Sequence, residues 1–208
     1  MPIAFYQVHP QANVSLWKIT ESIEELRQMM SAITDESACE ADFKLESSVK
    51  EWMASRLALA HLLPPSFAIY RKENKGLGLL NSALNVSVSH TKGYAAAIVS
   101  RYKCGVDVEI VGNRIARIAH KFVGQNEQWA MDIEELYQLW GAKETMYKID
   151  GHGGLDFKKQ LEVSQPLEKK VWVGEIRKQP NGIKCVLYKK QTEQALLVWG
   201  IESSSLIL

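Results

Sequence analysis

The sequence has little of what marks several common protein classes. Its 208 residues hold three cysteines, Cys39, Cys104 and Cys185, with no C-x-x-C pair and no Cys/His cluster. That argues against a disulfide scaffold and a zinc site, and it predicts free thiols in a reducing compartment. The formal net charge is +1. A general nucleic-acid binder carries a clear basic excess, so no nucleic-acid partner is expected. Long apolar runs are missing too. The richest, Leu57 to Tyr70, is interrupted by His61, Pro64 and Pro65, so no bilayer span and no membrane partner are expected. The start, MPIAFYQVHPQ, lacks a basic segment followed by an apolar one. No export signal is therefore expected, and the expected location is cytoplasmic. There is no low-complexity segment and no long linker.

What is present is an ordinary globular composition, 46% hydrophobic and 24% charged, enough for one large domain or two small ones. Ile3 to Ile19 reads as strand-like pieces. Thr20, with Glu24 after it, is an N-cap candidate for a short helix through Arg27. Glu46 to Leu63 places Val49, Trp52, Met53, Leu57, Ala60 and Leu63 on one helical stripe, and Pro64-Pro65 predicts its end. Glu73 to Leu80, with Asn74, Gly76 and Gly78, predicts a turn. Val86 and Val88 alternate with Ser87 and Ser89, then Tyr94 to Ser100 is apolar, which predicts a hairpin turning at His90 to Gly93. Gly105 to Ile110 predicts a strand; Ile115 to Val123 and Ile133 to Lys148 predict helices. Gly151, Gly153 and Gly154 predict a sharply turned loop, and Phe157 to Ile201 reads as strands with polar turns. This order predicts an α+β fold rather than repeating βαβ units.

Three clusters bear on chemistry. Asp107 and Glu109 in GVDVE sit two apart on a strand, so both carboxylates face one way. Hard oxygen donors so arranged suit magnesium, although a lone D-x-E is more often a solvated sheet face. In WGAKETMYK, Trp140, Glu144 and Lys148 are four apart on one helix side, with Trp140 as a candidate anchor. In SVSHTKG, His90 beside Ser89 is placed to bond a phosphate oxygen, although turn histidines are common.

Taken together, the succession SHT, GVDVE, WGAKETMYK closely resembles the phosphopantetheinyl transferase superfamily, in its single-chain, surfactin-synthetase-activating branch. That family's signatures are a (V/I)G(I/V)D(V/I)E strand and a W-small-x-K-E-(A/S)-x-x-K helix. Here Cys104 fills the first slot, Gly141 the small one, and Thr145 replaces Ala or Ser. KEWMASR, KFVGQNE and GLDF also fit, so the resemblance spans Lys50 to Phe157. It implies two pseudo-symmetric α+β halves, 1–103 and 104–208, with an active-site cleft between them, the second half carrying the metal motifs. It implies Asp107, Glu109 and Glu144 as magnesium ligands and Ser89 and His90 as contacts to coenzyme A phosphates. Lys148 resembles the lysine that neutralises phosphate charge. Lys75, in NKG, stands where relatives often have GKP and is a candidate for the nucleotide side of coenzyme A. Lys50 and Arg56 are candidates for its 3'-phosphate.

The implied reaction moves 4'-phosphopantetheine from coenzyme A to a serine of an apo acyl or peptidyl carrier protein and releases 3',5'-ADP. Catalysis would be mostly positioning and charge neutralisation. Glu144 is the candidate for accepting the serine proton, with Lys148 and His90 as the other catalytic candidates. The chain length predicts a monomer holding both halves. Two alternatives remain at this level: a magnesium-dependent phosphohydrolase acting on a nucleotide pyrophosphate, and an inactive regulatory homologue.

Overall fold

The computed structural model describes residues 3–8, 11–33, 43–64, 66–73, 76–164 and 171–203. It combines helices with antiparallel sheets in an α+β arrangement. The chain divides into two compact units, Met1–Tyr102 and Lys103–Leu208.

The first unit holds strands β1 (Ile3–Val8) and β2 (Ala12–Lys18), helices α1 (Ile23–Met30) and α2 (Glu46–Ala60), and strands β3 (Ile69–Arg71), β4 (Leu77–Leu79), β5 (Asn85–Thr91) and β6 (Tyr94–Ser100). Four strands form a sheet in the order β1-β2-β6-β5, every pair antiparallel. The cap of α1 is Ser22, not Thr20. The Ser22 hydroxyl accepts from the Glu25 amide at 3.2 Å, and the Glu25 carboxylate accepts from the Ser22 amide at 2.8 Å. This reciprocal pair satisfies two amides that a first helical turn leaves open.

Helix α2 is not a one-striped helix. All residues from Trp52 to Leu59 are buried, because strands β2, β5 and β6 and helix α1 all pack on it. It ends at Ala60, ahead of Pro64, with His61 as its cap. The expected turn at Glu73 to Leu80 contains strand β4 instead, paired to β3 with Tyr70 opposite Gly78. A Cβ on Gly78 would stand 2.6 Å from the Tyr70 ring. Gly78 therefore marks a close approach of a side chain, a use of glycine that looks like turn punctuation in a sequence. The β5–β6 hairpin turns at Lys92-Gly93, where Gly93 adopts φ +78°.

The second unit holds β7 (Cys104–Ile110), a one-turn helix α3 (Ile115–Ile118), the long helix α4 (Ile133–Asp150), and strands β8 (Leu161–Val163), β9 (Val171–Ile176), β10 (Ile183–Gln191) and β11 (Ala195–Glu202). The sheet order is β7-β11-β10-β9-β8, again antiparallel throughout. The helix expected over Ile115 to Val123 stops after one turn. A 3₁₀ turn follows at Ala119–Lys121, which brings Phe122 to full burial. Helix α4 opens on an Asp132/Glu135 capping box and closes on Gly151, at φ +71°. Left-handed backbone there favours glycine and ends the helix cleanly.

Helix α4 lies very close to the β7 edge of the sheet. A Cβ on Gly105 would stand 2.2 Å from the Thr145 carbonyl oxygen, and one on Gly141 would stand 2.9 Å from Val198. Thr145, where the family pattern has Ala or Ser, is fully buried and donates to the Val198 carbonyl at 3.2 Å. The two glycines thus set the distance between the GVDVE strand and the WGAKE helix.

Candidate active site

On β7 the residues that face α4 are Gly105, Asp107 and Glu109, one strand period apart. Asp107 is buried, at 6% exposure. Its Oδ1 accepts from Lys148 Nζ at 2.8 Å, and the same ammonium donates to the Val106 carbonyl at 2.7 Å. Its Oδ2 lies 3.7 Å from where a Cβ on Gly141 would stand. Glu109 accepts from Trp140 Nε1 at 3.1 Å through one oxygen and from Arg114 at 3.1 Å through the other. Trp140 is held edge-on to Phe122, at 5.2 Å between ring centres, and stacked on Phe157 at 5.4 Å. The tryptophan therefore anchors the helix, as its spacing predicts, and also aims Glu109.

Glu144 stands on the α4 face that carries Lys148. Its carboxyl is pushed up to about 7, first by burial, then by the Asp107 and Glu109 charges, with Lys148 opposing. Glu109 is also raised, by burial and then by Asp107, against the pull of Trp140 and Arg114. Three carboxylates thus share one field in the second unit with less cationic compensation than they can use. Among the described residues, no three His, Cys, Asp or Glu side chains close around a single point. Asp107 and Glu109 instead engage Lys148, Trp140 and Arg114. Magnesium commonly takes one or two carboxylates and completes its shell with water and substrate phosphates. The donor set fits such an ion: hard oxygens, two of the carboxyls with raised proton affinity, and no soft ligand among them.

A titration follows from Glu144. Its carboxyl moves from an ordinary 4.5 to about 7. The stability linked to its protonated form is therefore full below about 4.5 and lost as pH rises through about 7. Melting curves in chelator at pH 5.5 and 7.5 should show the loss. If Glu144 ligates magnesium, the added ion should raise the melting temperature more at pH 7.5, because it would compete with the proton. Equal magnesium effects at both pH values would remove Glu144 from the ligand set.

The remaining sequence candidates lie in the first unit. His90 belongs to strand β5 rather than to the turn, and its Nδ1 is 3.2 Å from the Glu51 carboxylate of α2. Ser89 is buried and, as the adjacent strand residue, points to the opposite sheet face. Arg56 is buried, with its guanidinium 4.5 Å over the Trp52 ring and one N–H donated to Ser55. Lys50 is half-buried on α2, where its charge helps to lower the Glu25 carboxyl after the Ser22 hydrogen bonds. Lys75, Asn74, Pro65 and Cys39 lie outside the described residues. Cys104 and Cys185 are buried, and no disulfide joins them.

Two features escape sequence reasoning. Lys143, next to Glu144 in the motif, is fully buried and donates to Glu127 and to the Phe122 and Phe157 carbonyls. Glu51 is the partner of His90, and no periodicity links positions 39 apart in the chain.

No described helix is long and apolar enough to cross a membrane. No family model matches the chain. A 98-residue stretch is 24% identical to 4'-phosphopantetheinyl transferase gsp of Aneurinibacillus migulanus, covering 44% of this chain and 41% of that protein. The chain thus spans less than half the length of the curated relative it matches. Over that stretch the chain is similar to a phosphopantetheinyl transferase.

Proposed function

We propose that this protein transfers 4'-phosphopantetheine from coenzyme A to a serine hydroxyl of an apo carrier protein, in the manner of the surfactin-synthetase-activating branch. The observation that carries the reading is the set Asp107, Glu109, Glu144 and Lys148, gathered on β7 and α4 in one unit. Two of its carboxyls have raised proton affinity. A magnesium ion held by Asp107, Glu109 and Glu144 would offset pyrophosphate charge.

In the reaction, the serine Oγ attacks the phosphorus on the pantetheine side of the pyrophosphate. The P–O bond to the bridging oxygen breaks, and 3',5'-ADP leaves with that electron pair. Glu144, whose proton affinity lies near neutrality, takes the serine proton directly or through water. Lys148 is steered by Asp107 Oδ1 and the Val106 carbonyl, and its ammonium stabilises charge on the transferring group. His90 and Ser89 are the candidate phosphate contacts of the first unit, Ser89 through its main chain because its hydroxyl is turned to the other sheet face.

The test is to incubate the protein with coenzyme A, magnesium and an apo carrier, then weigh the carrier. A gain equal to one phosphopantetheine supports transfer. Coenzyme A cleavage without a gain in carrier mass means a phosphohydrolase, and no reaction with either overturns the enzymatic reading.

The acceptor reading rests on the basic residues Arg114, Arg117 and Lys121. They follow β7 in the sequence, and α3 ends at Ile118, before Lys121. Arg114 is tied to Glu109 at 3.1 Å and to the Tyr137 hydroxyl at 3.3 Å. Charge reversal there would disturb the carboxylates directly. Arg117 and Lys121 are exposed and are the clean probes for an acidic carrier. Arg117→Glu with Lys121→Glu should raise the carrier KM several-fold and leave the coenzyme A KM in place. Added salt should shrink the difference, because steering charges are screened. Equal carrier KM values at low salt would remove this surface from docking.

A further inference from the structure

We infer that Glu51 is a positioning residue that holds the His90 ring by Nδ1 and thereby presents Nε2 to an oxyanion of the ligand. This rests on the proposed function, in which that oxyanion is a phosphate of coenzyme A. His90 lies on the face of β5 turned towards α2, together with Val86 and Val88, which pack with α2 in the core. Glu51 reaches it from α2 with a 3.2 Å contact, and the side-chain exposures are 44% for His90 and 18% for Glu51. The carboxylate is therefore the sheltered partner and the imidazole the accessible one.

The chemistry of the ring gives the contact its consequence. A carboxylate accepts only, so Nδ1 must carry the proton in this contact. The bond fixes the tautomer and the ring plane, as partners of metal-bound histidines do. When the ring is protonated, Nε2–H is the remaining donor and it points away from Glu51. As a contributor to stability the pair is a part-exposed ion pair worth little, so its effect should appear in binding rather than in melting.

Two measurements test the assignment. First, ¹⁵N histidine spectra of the ligand-free protein, at a pH where the ring is neutral, should show His90 protonated on Nδ1. Glu51→Ala should move it to the Nε2–H form that free imidazole side chains favour in water. Second, the coenzyme A Kd should rise about tenfold in Glu51→Ala. In Glu51→Gln, whose amide oxygen still accepts from Nδ1–H, it should rise only about two- to threefold. In a His90→Ala background the Glu51 changes should add nothing, since the coupling runs through the ring. The carrier KM should not move in any of these variants. An Nε2–H tautomer in the parent overturns the inference. So does a Glu51→Ala variant that binds coenzyme A as the parent does while His90→Ala binds it more weakly. A parent that fails to bind coenzyme A at all overturns the proposed function first, and the inference with it.

Discussion

Asp107→Asn is expected to lower phosphopantetheine transfer by about 10²–10³-fold, the usual scale for losing one preorganised electrostatic group. The substitution removes the charge and keeps the volume. That choice matters because Asp107 is 6% exposed and holds Lys148 at 2.8 Å. Alanine would leave a gap against α4 and set the lysine loose, so a lost activity would say little. Asparagine can still accept from Lys148 through its amide oxygen, and the melting temperature should stay close to that of the parent. The loss should fall on kcat, with the coenzyme A KM changed less, because the charge acts on the transition state. Half-saturation with magnesium should move to higher concentration as well. Near-parental turnover at saturating magnesium would sink the assigned metal site.

The site's frame was legible in the sequence for a physical reason. The periods of strand and helix project Asp107 with Glu109, and Trp140 with Glu144 and Lys148, onto single faces. Glycines at 105 and 141 then let those faces meet. What stayed hidden is whatever depends on contacts between distant positions. The burial of α2 all round follows from three strands and a helix packing on it, so its polar-looking residues Ser55 and Arg56 end inside. Arg56 read as a surface cation for a phosphate, whereas stacking on Trp52 makes it part of the unit's interior. Gly78 read as a turn marker because a sequence does not display the Tyr70 ring across from it. Ile115 to Val123 read as one helix because the break after Ile118 depends on where Phe122 is buried. The glutamate opposite His90 had no local signal at all.

Lys143 is the sharpest of these cases. Beside Glu144 in the sequence, it has 0% exposure, and Glu127 has 1%. Burial pushes its ammonium downward, against the pull of the Glu127 carboxylate. It is held by three acceptors: Glu127 and the Phe122 and Phe157 carbonyls, the last two at 2.7 and 2.8 Å. Glu127 in turn accepts from the Gly124 amide at 2.7 Å and the Val163 amide at 2.8 Å. One ammonium and one carboxylate thus tie α4 to the segment before it, to the loop after it and to β8. Lys143→Met should destabilise the protein by about 3–5 kcal/mol, because it leaves the Glu127 charge buried without its partner and two carbonyls without a donor. In a chain of this length that is a drop of roughly 6–20 °C in melting temperature. A second variant separates the charge from the packing. Lys143→Met with Glu127→Gln removes the stranded charge, and the new amide oxygen can still accept from Gly124 or Val163. It should recover a substantial part of the loss, since a buried pair costs most when only one partner is removed. Urea unfolding of parent, single and double variants checks both statements. A single variant as stable as the parent would show that the ion pair is not what holds these segments to α4.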